Sequence, residues 1–114
     1  MVQLRLDGKI VGYKRILKNV TLFSKDGYGW NGKPITFNTT DKSANLRDKN
    51  AKRLFVNDVI SLRDKTTQEE ELLVIQEEDG CVVFVSYNYP EEEWSKEDIE
   101  AKDKSITRVG YINP

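Results

Sequence analysis

The chain has 114 residues, of which 38% are hydrophobic and 32% are charged, and its formal net charge is -1. These values predict a single globular domain over residues 1–114 and exclude an intrinsically disordered chain. The chain has no histidine, which excludes Ser-His-Asp catalysis and histidine-containing metal sites. No apolar run approaches the roughly 20 residues of a membrane-spanning helix.

The chain starts with MVQLRLDGK, in which Arg5 and Asp7 interrupt the apolar residues that a secretory signal would need. We therefore expect a cytoplasmic protein with no membrane partner. We also expect no cofactor. The single Cys81 stands at the head of an apolar run, where it is predicted to be a small buried hydrophobic residue rather than a nucleophile.

Charge is distributed unevenly along the sequence. Residues 1–68 contain 14 Lys and Arg against 6 Asp and Glu, whereas residues 69–114 contain 4 against 13. Two interpretations follow: either the fold separates a basic surface from an acidic one, or strands from the two halves pair and neutralise each other.

The first elements in chain order are strands punctuated by turns. VQLRL alternates, which predicts a strand with Val2, Leu4 and Leu6 on one face and with Gln3 and Arg5 on the other, in a hairpin that is more exposed than the one around Asp79-Gly80. KIVGYKRIL follows the turn pair Asp7-Gly8, and Gly12 within it predicts a β-bulge. NVTLFS predicts a third strand that ends at a second pair, Asp26-Gly27.

The segment GYGWNGKPITFNTT contains the glycine spacing of a dinucleotide-binding loop. That loop requires a helix to begin within the glycines, whereas Pro34 and a β-forming stretch follow here. We interpret the segment as a glycine-rich turn that presents Tyr28 and Trp30. This aromatic pair either packs on the core or forms an exposed stacking platform.

The stretch LRDKNAKRLFVNDVISL, residues 46–62, has a poor helical period. It is better explained as a polar turn at residues 48–51 that leads into a buried strand, with Asn57-Asp58 as a short corner. Asp48 and Asp58 in this stretch, and Asp64 just beyond it, are predicted to be solvated turn residues rather than metal ligands.

Further along, EELLVIQEEDGCVVFVSY predicts a β-hairpin around Asp79-Gly80, with strands that are buried on both faces. PEEEWSKEDIEAKDK predicts one short helix, in which Ser95 and Asp98 resemble a capping box. SITRVGYI predicts a closing strand. The fold class is therefore mainly β with one short C-terminal helix, as a small antiparallel barrel or sandwich built from hairpins.

Two patches of the sequence resemble a known family. LRDKNAKRLFVNDVI at residues 46–60 and RVGYINP at residues 108–114 are similar to segments of the YopX-type proteins encoded by bacteriophages and prophages. Ala51 and Asn57 stand where that family prefers glycine. The resemblance implies a phage-associated, mainly β protein in the cytoplasm of a bacterial host, with no assigned activity.

From these observations we expect a non-enzymatic phage or prophage accessory protein that acts by binding a host or phage protein, as an inhibitor or as a nucleic-acid decoy. A homo-oligomer is also compatible with the sequence. The acidic C-terminal segment supplies the candidate protein contacts. They are Glu91, Glu92, Glu93, Glu97 and Asp98.

The alternative hypothesis is a small β-barrel that binds nucleic acid through the basic N-terminal half. In this reading, cationic side chains follow the phosphate backbone and aromatic side chains stack on bases. The candidate residues are Lys14, Arg15, Lys18, Tyr28, Trp30, Lys52 and Arg53.

Overall fold

The computed structural model describes residues 1–100 and 104–112. In these residues the chain is mainly β, with two antiparallel sheets of five strands each and one short helix. The predicted fold class is confirmed, and the open strand order of each sheet excludes a closed barrel. The chain divides into two compact units, Met1–Ser43 and Ala44–Pro114. The assignment of residues 1–114 to one domain stays a prediction.

The first unit contains β1 (Val2–Leu6), β2 (Lys9–Leu17) and β3 (Val20–Ser24), and it includes the first half of β4 (Thr39–Arg47). β1 lies between β2 and β4, and β3 pairs with the other side of β2. The predicted pair Asp7-Gly8 forms the β1–β2 turn, with φ of 52° and 84°. These positive angles are those of a tight hairpin turn.

Two features of the first unit differ from the sequence prediction. The β2–β3 turn is formed by Lys18-Asn19, with φ of 49° and 69°, although neither residue is glycine. Asp26-Gly27 instead opens a loop after β3, where Asp26 Oδ1 accepts the Tyr28 N–H at 2.8 Å and the Gly29 N–H at 3.0 Å. These amides hold the pKa of Asp26 below its usual value of 3.8.

The predicted bulge at Gly12 is confirmed, because the register of β1 and β2 shifts opposite this residue. A Cβ atom on Gly12 would lie 2.6 Å from the backbone oxygen of Ser24 and 2.6 Å from Cδ1 of Ile35. Glycine is therefore required by close packing at this point.

The polar face of β1 is buried, although this hairpin was predicted to be the more exposed one. Gln3, Arg5 and Asp41 are each at most 2% exposed. The Arg5 Nε donates to Asp41 Oδ2 at 2.6 Å, and the Gln3 Nε2 donates to the same oxygen at 2.9 Å. Asp41 belongs to β4, which the sequence analysis did not predict as a strand, so the partner that allows Arg5 to be buried was missed.

We expect Asp41→Ala to lower the free energy of unfolding by about 3–5 kcal/mol, because it leaves the Arg5 guanidinium buried without its carboxylate. The double variant Arg5→Met, Asp41→Leu removes both charges and is expected to recover most of that loss. Chemical denaturation of both variants measures the difference. A loss below about 1 kcal/mol for the single variant would contradict the account.

The second unit contains β5 (Arg53–Phe55), β6 (Asp58–Asp64), β7 (Glu70–Glu78), β8 (Cys81–Ser86), β9 (Glu93–Trp94), α1 (Lys96–Ile99) and β10 (Lys104–Tyr111). One sheet has the order β10-β6-β7-β8-β9, and β5 pairs with β4. The core of the unit consists of apolar side chains from these elements. They are Ala44, Leu54, Ile60, Leu62, Leu73, Ile75, Phe84, Ile99 and Ile106.

The predicted hairpin at Asp79-Gly80 is confirmed, with φ of 51° and 82°, and the buried residues of its strands are 73–75 in β7 and 84–86 in β8. Cys81 is exposed, so the prediction that it is buried was wrong. It pairs with Glu78 directly beside the turn, at the end of the hairpin that lies away from the buried centre.

The predicted capping box is present at the start of α1. The Asp98 N–H donates to Ser95 Oγ at 3.2 Å, and the Ser95 N–H donates to Asp98 Oδ2 at 2.9 Å. The helix begins later than predicted, at Lys96, because residues 93–94 form β9. The predicted positions 101–103 lie outside the described residues. The predicted closing strand is confirmed as β10.

The stretch at residues 46–62 folds as predicted, into a turn that leads to β5, a corner at residues 56–57 and then β6. Asp48 is 6% exposed, and its Oδ1 accepts the N–H groups of Asn50 and Lys52, both at 2.9 Å. Its Oδ2 accepts the Arg108 N–H of β10 at 3.1 Å. Ala51 adopts the left-handed conformation, with φ of 63°, at a cost that these hydrogen bonds offset.

Asp58 performs a similar role at the second corner. It is 0% exposed, and its Oδ2 accepts the Phe55 N–H at 2.9 Å, while its Oδ1 lies 3.2 Å from Arg108 Nε. The prediction that Asp48 and Asp58 are solvated was therefore wrong. Both are buried carboxylates that satisfy backbone donors where the chain turns.

Burial alone would raise the pKa of Asp48, but the amides of Arg108, Lys52 and Asn50 together hold it below its usual value of 3.8. A carboxyl with a lowered pKa stabilises the fold at pH values above the unfolded pKa, and this contribution is lost as pH falls. The corner is therefore held by an ionised Asp48 at neutral pH.

Candidate functional site

An open groove of about 360 Å³ lies on the second unit. It is formed where β6 ends, where β7 and β10 begin, and along β9 with the connection that precedes it. Leu62 contributes an apolar patch to its wall. The lining side chains include five carboxylates and one ammonium group. The carboxylates belong to Asp64, Glu69, Glu70, Glu71 and Glu92, and the ammonium belongs to Lys104. We call this feature the acidic groove.

Among the described residues, Lys104 is the one cationic side chain that lines the acidic groove, and a carboxylate already engages it. Lys104 Nζ lies 2.8 Å from Asp64 Oδ2, and the pair is about one-fifth exposed. Asp64 Oδ1 also accepts the N–H groups of Thr66 and Thr67, at 2.8 and 3.1 Å. The hydrogen bond from Lys104 and these two amides lower the pKa of Asp64 from 3.8 to about 2.

A second carboxylate of the groove is also partnered. Glu70 accepts the Ser61 hydroxyl at 2.6 Å and lies 3.0 Å from Arg63 Nη2, and these contacts lower its pKa. Glu69, Glu71 and Glu92 form no ion pair within the described part of the chain. Three carboxylates of the groove are thus available to a cation from outside.

Two aromatic side chains complete the wall of the groove. Tyr89 is 58% exposed, and Trp94 is half-buried where it packs on the core of the second unit. Aromatic faces attract cations and also cover the aliphatic stems of lysine and arginine. The groove is therefore chemically suited to a cationic side chain that carries a long apolar stem.

The predicted protein contacts are only partly gathered at this groove. Glu92 lines it, while Glu91 and Glu93 are exposed on the same connection and strand. Glu93 raises the pKa of Glu78 through a shared hydrogen bond and like-charge repulsion, so acidic groups crowd together at this end of the sheet. Glu97 and Asp98 are exposed on α1, where Asp98 serves the capping box.

The groove is also lined by Glu69, Glu70 and Glu71, which were not among the predicted site residues. The signal was present in the run of three glutamates directly before the apolar residues of β7. What was absent from the sequence is the pairing of β6 with both β7 and β10, which places this run near Asp64 and Lys104.

The predicted nucleic-acid contacts are divided between the two units. In the first unit, the Arg15 guanidinium lies 4.3 Å from the centre of the Trp30 ring, and Lys14 lies 5.2 Å from that of Phe37. One face of Trp30 is therefore covered, whereas Tyr28 is 80% exposed. Lys18 is exposed at the β2–β3 turn, and Lys52 and Arg53 are exposed in the second unit.

Charge separates in part between the units. Met1–Ser43 contains 8 Lys and Arg against 3 Asp, a formal charge of +5, and Ala44–Pro114 contains 10 against 16 Asp and Glu, a formal charge of -6. Within the second unit, basic and acidic strands also pair, as Arg63 does with Glu70. The two units thus differ in the sign of their charge, as the first interpretation predicts. Opposite charges also pair between strands within the second unit, as the second interpretation predicts.

Among residues 1–100 and 104–112, no three carboxylate or thiol side chains converge as ligands for a metal ion. None of the helical segments in these residues has the length and hydrophobicity needed to span a bilayer. Comparisons of the chain with models of protein families, with curated proteins and with solved structures find no match. The resemblance to YopX-type proteins stays a prediction.

We expect Lys104→Met to raise the pKa of Asp64 from about 2 toward its usual value of 3.8, because the hydrogen bond from Lys104 is the largest cause of the lowered pKa. In the wild type, Asp64 stabilises the fold at pH values above 3.8, and this stabilisation is lost as pH falls toward 2. Because the contribution of Asp64 is smaller in the variant, the free energy of unfolding of the variant should fall less over this range. NMR titration of the Asp64 carboxyl measures the shift. An unchanged titration would show that the two amides alone set it.

Proposed function

We propose that this protein is a non-enzymatic binding protein whose acidic groove accepts a lysine- or arginine-rich segment of a protein partner. The observation that carries the proposal is the groove itself, in which aromatic side chains and glutamates that form no ion pair with the described residues line one open cleft. Ionised carboxylates at its rim steer a cationic partner toward it, and the aromatic walls provide the apolar contact that a charged rim lacks.

The proposed biological setting follows from the resemblance of residues 46–60 and 108–114 to YopX-type proteins. In that setting the protein is a phage or prophage accessory protein that acts on a host or phage protein inside a bacterial cell. A groove of carboxylates also suits a decoy that occupies a nucleic-acid-binding surface, because carboxylates replace phosphates as partners for arginine and lysine.

We expect Glu69→Lys, Glu92→Lys to weaken binding of a fluorescent octalysine peptide by about tenfold or more, as measured by anisotropy at low salt. The matched control is Glu91→Lys, Glu97→Lys, which makes the same change in charge on the predicted acidic segment but outside the groove lining. This control should change the affinity by about twofold or less.

Tyr89→Ser tests the contribution of the aromatic wall separately from that of charge. It leaves every charge in place and should weaken peptide binding several-fold, because it removes an aromatic wall. If the two charge-reversal variants lose affinity equally, or if Tyr89→Ser has no effect, the peptide is held by general attraction to an acidic surface and the groove is not the site.

The second candidate is nucleic-acid binding through the first unit. It is favoured by the charge of +5 over residues 1–43 and by the exposure of the Tyr28 ring. It is opposed by the contact of Arg15 with Trp30, which occupies a ring face that a base would need. Under this candidate, an oligonucleotide binds with a steep salt dependence, and the groove variants leave that binding unchanged.

A further inference from the structure

The tip of the β2–β3 hairpin exposes three aliphatic side chains next to one another. Ile16 is 67% exposed, Leu17 is 54% and Val20 is 55%. Leu17 and Val20 are cross-strand partners, so they project from one face of the hairpin, and Ile16 projects from the opposite face. The tip is therefore apolar on both sides, unlike a solvated hairpin turn.

The register of the strands shows that this tip extends beyond the start of β1. β1 pairs with β2 only as far as Val2 opposite Lys14, whereas β3 continues to pair as far as Val20 opposite Leu17. Three residues of β2 thus lie past the last pair with β1, a length of about 10 Å at roughly 3.3 Å per residue.

Basic side chains surround this apolar tip. Lys18 lies in the turn, and Lys14 and Arg15 lie on opposite faces at the base of the extension, each over an aromatic ring. From Gly8 to Lys25 the sequence contains five Lys or Arg and neither Asp nor Glu. No carboxylate within this hairpin reduces its positive charge.

We propose that the β2–β3 tip inserts into the interfacial layer of an anionic lipid bilayer. Aliphatic side chains gain free energy by entering the boundary between headgroups and acyl chains, while the lysine and arginine side chains remain among anionic headgroups. Nucleic acid offers phosphates but no apolar layer for Ile16, Leu17 and Val20. The contact is peripheral and needs no membrane-spanning segment. The lack of such a segment in the sequence was the reason for expecting no membrane partner.

The test is co-sedimentation of the full chain with vesicles of phosphatidylcholine alone or mixed in equal parts with phosphatidylglycerol. We expect binding only to the anionic vesicles. Leu17→Asn, Val20→Asn should weaken this binding by at least about tenfold, because two apolar side chains no longer enter the bilayer. Lys18→Gln should weaken it by about fivefold, since each charge near an anionic surface contributes about that factor.

The matched control is Tyr87→Asn, Val109→Asn, two side chains of the second unit that are each 55% exposed. It should bind vesicles as the wild type does, and the thermal midpoints of both double variants should equal that of the wild type.

The proposal is overturned if the wild type does not bind anionic vesicles, or if the tip variant binds them as well as the control does. A parallel arm uses a single-stranded oligonucleotide. If the tip variant weakens oligonucleotide binding while vesicles are not bound, the hairpin belongs to a nucleic-acid interface and the membrane proposal is wrong.

Discussion

The buried carboxylate of Asp48 is the interaction on which the second unit depends. Its two oxygens accept three backbone N–H groups, two from its own turn and one from Arg108 in β10. The turn adds a further bond, since the Lys49 N–H donates to the Ile106 oxygen at 2.9 Å. A local turn and a strand distant in sequence are thereby joined by one side chain and one backbone hydrogen bond.

This junction also covers an edge of the sheet. β10 is the outer strand in the order β10-β6-β7-β8-β9, and its outward backbone groups would otherwise offer a template for another strand. The Asp48 turn occupies those groups at Ile106 and Arg108. The Arg108 side chain then reaches Asp58, so the two buried carboxylates of the corner hold the same strand.

The acidic groove depends on the same register. β10 pairs with β6 so that Lys104 lies opposite Asp64, and β6 pairs with β7 so that Arg63 lies opposite Glu70. These pairs occupy Lys104 and Arg63, and within the described residues Glu69, Glu71 and Glu92 form no ion pair. The corner at residues 48–58 therefore has a structural role, and the groove that we propose as the site lies at the opposite end of β6.

Short-range chemistry was readable from the sequence, whereas long-range partners were not. The Asp-Gly turns at residues 7–8 and 79–80, the Gly12 bulge and the Ser95 capping box follow from local rules and are present. β4 was missed because TTDKSANLR is polar, and its burial depends on Asp41 meeting Arg5 from another strand. The same cause hid the burial of Asp48, whose third donor is 60 residues away.

Amide hydrogen exchange along β10 in Asp48→Ala measures how far this carboxylate holds the corner and the strand together. If the Asp48 carboxylate holds the corner and this strand together, the amides of Asn50, Lys52 and Arg108 should exchange about tenfold faster or more than in the wild type. Amides of the first unit, such as that of Gln3, should keep their wild-type rates. An unchanged rate at Arg108 would show that β10 is held without Asp48 and would contradict the account.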